Sequence, residues 1–366
     1  MGFKKSSLES LGMNNQRFWE NKKVLITGHT GFKGTWLLIS LLAMGADILG
    51  YSLEAEKKSL FKNVEKKIEN KFTNHISDIL DLDNLKNIIN YFQPDLIIHL
   101  AAQSLVRKSY RQPMLTWQTN VLGSLNILEA SKDLKKKCSI IMVTTDKVYK
   151  NNEWVYGYRE NDELGGYDPY SASKAAAEIA IKSWRSSFNN ELTCKNLNIS
   201  SARSGNVIGG GDWSEDRIVP DIVKGLIEEK KILIRNPSAN RPWQHVLEPL
   251  SGYLTLAEAL YKRKNSPEYN EFNFGPNIFS NKTVLELVEE VFKYWPGEWE
   301  DISNNSDLHE ASNLNLQNEK AFKLLGWKPK WDFKKSVYET ISWYKKVNDG
   351  GDPYEICKKN IEEFFS

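Results

Sequence analysis

The sequence lacks the features of several classes of protein. Its three cysteines, Cys138, Cys194 and Cys357, are far apart, with neither the spacing of a metal site nor the even number of a disulfide framework. We interpret them as free thiols in a reducing compartment. The most apolar stretch, 36–46, is much shorter than the ~20 residues that a membrane span requires. Residues 1–20 lack the apolar core of a signal peptide, so a cytoplasmic location is expected.

An excess of charge of either sign is also absent. The 49 lysines and arginines nearly balance the 47 acidic residues, which leaves a formal net charge of +2. This balance does not favour a nucleic acid or a membrane surface as the partner. The chain also has no internal repeat and no low-complexity tract. Its 366 residues can bury a large core, as one large domain with a second lobe.

What the sequence does contain begins with a strand, a glycine turn and a helix. The apolar, β-branched run 24–27 predicts a buried parallel strand, and an amphipathic run predicts a helix over 35–44. Glycines between them let the backbone approach a pyrophosphate, which the amides of the helix N-terminus can bind. This order predicts a Rossmann-type, doubly wound α/β fold. The turn supplies the first predicted cofactor contacts: Gly28, Thr30, Gly31, Phe32, Lys33 and Gly34.

Other short apolar runs predict the remaining strands of a parallel sheet. They lie at 46–51, 72–76, 96–100, 139–144 and 197–202. Ligands bind outside the carboxyl ends of such strands. Residues at or near these ends complete the predicted cofactor site: Asp78, Ile79, Leu100, Ala101, Ala102, Gln103, Asn120, Thr144 and Arg203. No acidic residue stands at the end of 46–51, so this segment leaves the choice between NAD and NADP open.

A candidate catalytic group follows the fifth predicted strand. That strand delivers Thr145, Asp146 and Lys147, and a predicted helix carries Tyr170 and Lys174 one turn apart on one face. A lysine ammonium beside a phenol favours the phenolate, so the pKa of Tyr170 is expected to fall from about 10 toward working pH. Tyr170 would then act as a general base on a hydroxyl group, with a nicotinamide to take the hydride.

The second part of the chain has a different character, with a glycine-rich loop at 209–213 and several arginines beside tryptophans. Guanidinium groups suit a nucleotide diphosphate, although solvated arginines on a surface turn are the alternative interpretation. The predicted substrate-binding residues are Ser104, Arg107, Asn206, Gly211, Asp212, Trp213, Arg217, Ile234, Arg235, Asn236, Arg241, Trp243, Gln244, His245, His309 and Glu310. The polar, aromatic segment 149–168 predicts a functional or mobile loop.

These patterns predict two unequal parts. The cofactor-binding domain is expected to span 17–205, with 242–264 returning to it. The other segments are assigned to a nucleotide-sugar-binding lobe, 206–241 and 265–349, and to peripheral ends, 1–16 and 350–366.

Five stretches together resemble a known family. They are 28–34, 145–147, 165–171, 205–213 and 241–249. The chain resembles the extended short-chain dehydrogenase/reductases that act on nucleotide sugars, and within them the 4,6-dehydratases of CDP-hexoses. The resemblance extends from about residue 18 to 331. It implies NAD as the cofactor and CDP-glucose as the substrate, which loses water while NAD is reduced and then reoxidised.

The resemblance also implies a role for each catalytic residue. Tyr170 would take the 4-hydroxyl proton, while Lys174 would hold the cofactor ribose and Thr145 would bind the 4-oxygen. Asp146 would protonate the departing 6-hydroxyl. Lys147 would remove the C5 proton, or stabilise the enolate while another group moves that proton. Related dehydratases for dTDP-glucose carry a glutamate where this chain has Lys147.

The family context adds expectations about assembly and pathway. A homodimer or homotetramer would pack through helices around 104–134 and 170–188. The product would enter the synthesis of deoxysugars for surface polysaccharides such as the O-antigen of lipopolysaccharide.

Alternative functions remain at this stage. A nucleotide-sugar 4-epimerase shares the glycine turn, Tyr170 and Lys174, but it needs no acid and base for C5 and C6, and the Asp146–Lys147 pair argues against it. A dehydratase acting on another nucleotide hexose would use the same machinery. A binding or scaffold protein that retains NAD without catalysis would be expected to have lost Tyr170 or Lys174, and both are present.

Overall fold

A seven-stranded parallel sheet forms the centre of the protein. The computed structural model describes residues 17–188, 196–262, 267–303 and 314–366. The sheet has the order β3-β2-β1-β4-β5-β6-β11, and every neighbouring pair is parallel. Its strands are β1 (Lys23–Thr27), β2 (Asp47–Ser52), β3 (Thr73–Ile76), β4 (Leu96–His99), β5 (Cys138–Val143), β6 (Leu197–Ser204) and β11 (Glu271–Phe274). The predicted doubly wound Rossmann-type fold is confirmed.

Helices connect the strands and cover both faces of the sheet. In the first half of the chain they are α1 (Phe32–Ala43), α2 (Leu60–Ile68), α3 (Leu82–Phe92), α4 (Val106–Arg111), α5 (Pro113–Trp117), α6 (Gly123–Ser131) and α7 (Pro169–Phe188). In the second half they are α8 (Ile218–Ile227), α9 (Leu247–Lys262), α10 (Val284–Phe292), α11 (Glu319–Leu325), α12 (Phe333–Asn348) and α13 (Pro353–Phe365). Among the described residues, no helix combines the length and apolar character needed to cross a membrane.

The core consists of two apolar layers, one on each face of the sheet. Successive side chains of a strand point to opposite faces, so Val24 belongs to one layer and Leu25 to the other. Helices α1, α9 and α13 contribute to the first layer, and α3, α6 and α7 to the second. Strands β1, β4 and β5 are largely apolar because both of their faces are buried. Each fully buried aliphatic side chain contributes about 1.5–3 kcal/mol.

One helix boundary differs from the predicted one. The helix after the glycine turn begins at Phe32 rather than at residue 35, so its first turn is part of the glycine motif. Asn120 lies in a π-helical turn at Gln118–Leu122 that continues into α6. Single π turns often occur at functional sites, and the side chain of Asn120 is fully buried in this one.

The second lobe is built from short strand pairs and the helices beside them. The pairs are β7 (Val207–Ile208) with β10 (Gln244–His245), β8 (Ile232–Ile234) with β13 (Trp299–Asp301), and β9 (Asn240–Pro242) with β12 (Asn281–Thr283). Strand β11 lies inside the segment predicted for this lobe, yet it forms an edge of the central sheet. The segment 350–366, predicted to be a peripheral end, contains α13, in which Cys357 and Ile361 are fully buried.

Candidate active site

A cavity of about 1450 Å³ lies between the carboxyl ends of the sheet strands and the second lobe. The ends of β1, β2, β4, β5 and β6 line one half, which we call the cofactor half. Residues from 205–243 line the other, the substrate half. This position at the carboxyl edge is where open α/β sheets bind ligands. The structure therefore brings most of the predicted cofactor and substrate residues together around one space.

The glycine turn forms the floor of the cofactor half. Gly28 has a φ of +74°, which favours glycine, and a Cβ on Gly34 would lie 2.0 Å from the Gly28 carbonyl oxygen. Helix α1 has Gly31 as its N-cap, with no side chain bonded to its first amides. Those amides are therefore available to an anion, and the adjoining cradle has the shape that a dinucleotide pyrophosphate requires.

The catalytic candidates meet where β5 ends beside α7. The Thr145 hydroxyl donates to the Asp146 carboxylate over 2.9 Å. The Lys147 Nζ donates to the same carboxylate over 3.4 Å and to Asn206 Oδ1 over 3.1 Å. Asp146 is 1% exposed, whereas about a quarter of the Lys147 side chain is accessible. An acid and an amine thus stand side by side at the cavity wall.

Helix α7 places Tyr170 and Lys174 against this group. Asp168 accepts a hydrogen bond from the Ser171 amide over 3.0 Å, so α7 begins immediately before the tyrosine. The Lys174 Nζ donates to the Val143 carbonyl over 3.3 Å. Both side chains line the cavity, and the expected spacing of one helical turn is observed.

The pKa of Tyr170 differs from the value expected from the sequence. Burial raises the pKa of Tyr170 to about 12, and a hydrogen bond with Thr145 only partly opposes that shift. Burial also lowers the pKa of Lys174 to about 8, against the attraction of Glu178. The predicted fall in the pKa of Tyr170 is therefore not observed, because the desolvation of the phenolate outweighs the groups that stabilise it.

Lys33 acquires an unusual environment in the glycine turn. Burial and the nearby Arg217 lower the pKa of this lysine to about 7. Its Nζ donates to Ser204 Oγ over 2.9 Å, and Ser204 is bonded in turn to the Tyr253 hydroxyl. The position of Lys33 in the glycine turn led to the prediction that it binds the cofactor. Nothing in the sequence indicated that its pKa is lowered.

Two predicted cofactor residues do not line the cavity. The amide of Asn120 accepts from the Gln103 backbone and donates to Ser173 Oγ, each over 2.9 Å, so Asn120 fixes the wall from behind. Arg203 is buried in an ion pair with Glu178 at 2.9 Å. Arg203, predicted to contact the cofactor, directs its guanidinium into the protein toward that carboxylate and does not line the cavity.

Two predicted substrate residues are also buried elsewhere. Gln244 is fully buried, and His245 packs between Trp36 and Trp331, with ring centroids 5.7 and 4.8 Å away. Burial lowers the pKa of His245 to about 3, so this ring is neutral. Neither residue lines the cavity. His309 and Glu310 lie outside the described residues.

The remaining substrate candidates do line the cavity. They are Ser104, Arg107, Asn206, Gly211, Asp212, Trp213, Arg217, Ile234, Arg235, Asn236, Arg241 and Trp243. Three of these are arginines already paired with carboxylates. Arg217 contacts Asp212 at 2.8 Å, while Arg107 and Arg235 both contact Asp216, at 3.7 and 3.2 Å. Asp216 was not among the predicted residues, because nothing in the sequence shows that it contacts both Arg107 and Arg235.

The fold and the site together define an extended short-chain dehydrogenase/reductase, with a Rossmann sheet, a glycine turn and a Tyr-Lys pair facing one cavity. Residues 25–340 match the family model described as GDP-mannose 4,6 dehydratase. The chain belongs to this family of nucleotide-sugar dehydratases.

Individual relatives extend this result. A CDP-glucose 4,6-dehydratase from Salmonella typhimurium is 42% identical over 97% of this chain and 99% of its own length. A dTDP-glucose 4,6-dehydratase from Shigella flexneri is 25% identical over 88% of this chain and 92% of its own. Among solved structures, the dTDP-glucose 4,6-dehydratase of Bacillus anthracis in complex with NAD has a TM-score of 0.74 at 22% identity, covering 91% of this chain and 99% of that one.

Proposed function

We propose that this protein catalyses the NAD-dependent dehydration of CDP-glucose to CDP-4-keto-6-deoxyglucose. The observation that carries the proposal is the 42% identity to the Salmonella typhimurium enzyme over nearly the whole of both chains. The site supports it, since an acid and an amine at Asp146 and Lys147 stand beside the Tyr-Lys pair of a dehydrogenase. That combination suits an oxidation followed by an elimination.

The cofactor half provides a fitting site for NAD. The uncapped N-terminus of α1 would bind the pyrophosphate, and Lys174 would hold the nicotinamide ribose. NAD bound there would supply the hydride chemistry by which C4 of the sugar is oxidised and C6 is later reduced. The end of β2 supplies Ser52 with no acidic residue, so the assignment of NAD follows the family rather than this segment.

Tyr170 and Thr145 would act on the sugar 4-hydroxyl. Thr145 Oγ1 would bind the 4-oxygen, and the Tyr170 phenolate would take the hydroxyl proton. With its pKa near 12, Tyr170 is protonated at neutral pH in the unliganded protein. The positive charges of Lys174 and of the oxidised cofactor must therefore favour the phenolate when substrate and cofactor are bound.

Asp146 and Lys147 would perform the elimination. Once C4 is a ketone, the C5 proton becomes acidic, and Lys147 would remove it or stabilise the enolate. Asp146 would donate its proton to the departing 6-hydroxyl. Their contact at 3.4 Å keeps both groups on one wall of the cavity, and Asn206 holds the other side of the lysine amine.

A nucleotide-sugar 4-epimerase is the alternative that the fold itself does not exclude. UDP-glucose 4-epimerase of Mycoplasma pneumoniae is 23% identical over 88% of this chain and 96% of its own length. An epimerase returns the hydride to C4 and needs no proton transfer at C5 or C6. The adjacent Asp146 and Lys147 therefore favour a dehydratase.

The proposal also covers the compartment, the oligomeric state and the pathway of the enzyme. Cys138 and Cys357 are buried free thiols, which fits the reducing cytoplasm. Exposed apolar side chains on α5, the π-helical turn and α7 offer a face for a second copy of the chain: Met114, Leu115, Trp117, Leu122 and Ile179. We therefore favour a homodimer, with a homotetramer as the larger form, whose product enters deoxysugar synthesis for surface polysaccharides.

A product assay tests the proposed function directly. The purified protein is incubated with catalytic NAD and, in parallel, CDP-glucose, UDP-glucose, dTDP-glucose or a GDP-sugar, and product mass is followed. Loss of one water from CDP-glucose is the expected result. Loss of water from another nucleotide sugar would retain the reaction and change the substrate. An epimer of unchanged mass would replace the dehydratase by the epimerase.

A further inference from the structure

A buried ion pair lies directly behind the catalytic residues. Glu178 is one helical turn beyond Lys174 on α7, and it pairs with Arg203 of β6 at 2.9 Å. Only 2% of the Glu178 side chain and 4% of the Arg203 side chain are exposed. The carboxylate accepts further hydrogen bonds from Thr144 Oγ1 at 2.5 Å and from Ser201 Oγ at 2.8 Å.

This pair is connected to both ends of the segment that carries Thr145, Asp146 and Lys147. At its start, Thr144 donates to Glu178, and the preceding carbonyl of Val143 accepts from Lys174. At its end, Arg203 donates to the Tyr149 hydroxyl over 2.8 Å. Arg203 also donates to the backbone carbonyl of Glu160 in the loop that follows. A shift of the pair would therefore move the whole catalytic segment.

We propose that Glu178, held in place by Arg203, is a positioning residue that fixes the 144–149 segment and places a carboxylate one helical turn from Lys174. The inference rests on the proposed function, in which Lys174 must carry a positive charge beside Tyr170. It gives Arg203, which we first expected at the cofactor, a role behind the site. Glu178 does not line the cavity, so it acts through the residues that it positions.

The electrostatics agree with this geometry. Burial alone would raise the pKa of Glu178, but Arg203 and the hydrogen bonds outweigh it and lower that pKa. The Glu178 carboxylate in turn raises the pKa of Lys174 against the effect of burial. Of the other titratable groups around Lys174, His99 of β4 is neutral, with a pKa near 3 because of burial, and Lys33 of α1 repels the amine. Tyr170 lies one helical turn before Lys174 on α7.

The test removes both charges of the pair at once. Glu178→Gln alone would leave Arg203 buried without a counter-charge, whereas Glu178→Leu with Arg203→Met replaces the pair by apolar groups of similar volume. We expect the double variant to fold and its alkaline limb of kcat against pH to move down by roughly one pH unit, because Lys174 loses its neighbouring carboxylate. Glu178→Asp retains the charge, so it should keep the limb in place with a lower kcat.

A second readout does not depend on the reaction. Competitive labelling of amines with acetic anhydride at several pH values, read by peptide mass spectrometry, reports the pKa of Lys174 directly. This measurement remains valid if the protein proves inactive on CDP-glucose, so a failure of the proposed function is distinguishable from a failure of this inference. The same downward shift is expected in the labelling curve of the double variant.

The matched control is the other ion pair of α7, Arg185 with Glu271 at 3.1 Å. Arg185→Met with Glu271→Leu should leave both curves unchanged. An unchanged labelling curve in the double variant of Glu178 and Arg203 would overturn the inference and leave that pair a purely structural one. If the double variant fails to fold, Glu178→Asp decides: a labelling curve shifted as far as one pH unit despite the retained charge would contradict the proposal.

Discussion

The two halves of the cavity are built in different ways. In the cofactor half, every candidate stands at the end of a strand of the central sheet or on the helix that follows, and most are buried. In the substrate half, the candidates stand on loops and on strands of two or three residues. The first half is therefore fixed by the core of the domain, and the second by a few side-chain contacts.

The polar groups of the two halves also differ in what holds them. Thr145, Asp146 and Lys174 are each bonded to buried neighbours. Arg107 and Arg235 both pair with the Asp216 carboxylate, and roughly a third of each of these three side chains is exposed. Exposed ion pairs contribute little to stability and exchange readily. We therefore expect changes in the cofactor half to alter rate strongly, and changes in the substrate half to alter affinity mildly.

The largest effect is expected at Tyr170. Tyr170→Phe removes the hydroxyl that takes the 4-hydroxyl proton, so kcat for dehydration should fall by about 10³-fold. The ring stays in place, and the thermal unfolding midpoint should change little. Tyr167→Phe is the control, because this tyrosine is 80% exposed three residues earlier. A Tyr170→Phe variant with more than a tenth of normal activity would remove Tyr170 from the mechanism.

Lys147 tests the elimination separately from the oxidation. We expect Lys147→Ala to retain hydride transfer from C4 and to slow loss of water by about 10²-fold. In a single turnover, the absorbance of reduced nicotinamide should rise and persist, and exchange of the C5 proton with deuterated solvent should stop.

Lys150→Ala is the matched control for Lys147, since Lys150 is exposed and pairs with Glu163. It should dehydrate CDP-glucose at the normal rate. Normal deuterium exchange at C5 in Lys147→Ala would assign the base to another residue.

Two positions of the glycine turn differ in how much room a side chain would have. A Cβ at residue 34 would lie 2.0 Å from the Gly28 oxygen, whereas one at residue 31 would lie at 3.3 Å. Overpacking of this kind costs about 1–3 kcal/mol. Gly34→Ala should therefore weaken NAD binding by about 10- to 100-fold and Gly31→Ala much less. Equal NAD affinities of the two variants, measured by calorimetry, would show that the backbone of the turn moves to accommodate either Cβ.

The sequence predicted most of the central sheet because strands such as β1, β4 and β5 are short apolar runs and because the glycine turn has a single familiar use. Such signals are local, and each can be read from a few consecutive residues. The boundary at 265 and the peripheral status of 350–366 were not predictable in this way. Strand β11 joins the sheet, and α13 covers α1 and α2, through pairings between residues far apart in the chain.

The residues of the site were likewise predictable only where a local sequence pattern identifies them. Thr145, Tyr170 and Lys174 follow from spacing along a strand end and a helix. The inward orientation of Arg203 follows from Glu178, which lies 25 residues away in the sequence. The raised pKa of Tyr170 depends on burial in the folded protein, and a short sequence pattern carries no information about desolvation.

The smallest effect is expected in the substrate half, at Asp216. This carboxylate contacts Arg107 from the first domain and Arg235 from the second lobe, where the substrate diphosphate would need the same cations. Each exposed pair is worth about 0.2–1 kcal/mol. Asp216→Asn should therefore lower the KM for CDP-glucose by roughly two- to fivefold without changing kcat. Asn also tolerates the φ of +59° at this position.

The control for Asp216 is Glu215→Gln, which removes the same charge from the exposed neighbouring residue. If Asp216 competes with the diphosphate, only Asp216→Asn should lower the KM, and the difference should shrink in high salt because exposed charges are screened. The same order is expected for inhibition by CDP. A KM that rises in Asp216→Asn would mean that the carboxylate orients the arginines for the substrate, and the substrate half would then be as preorganised as the cofactor half.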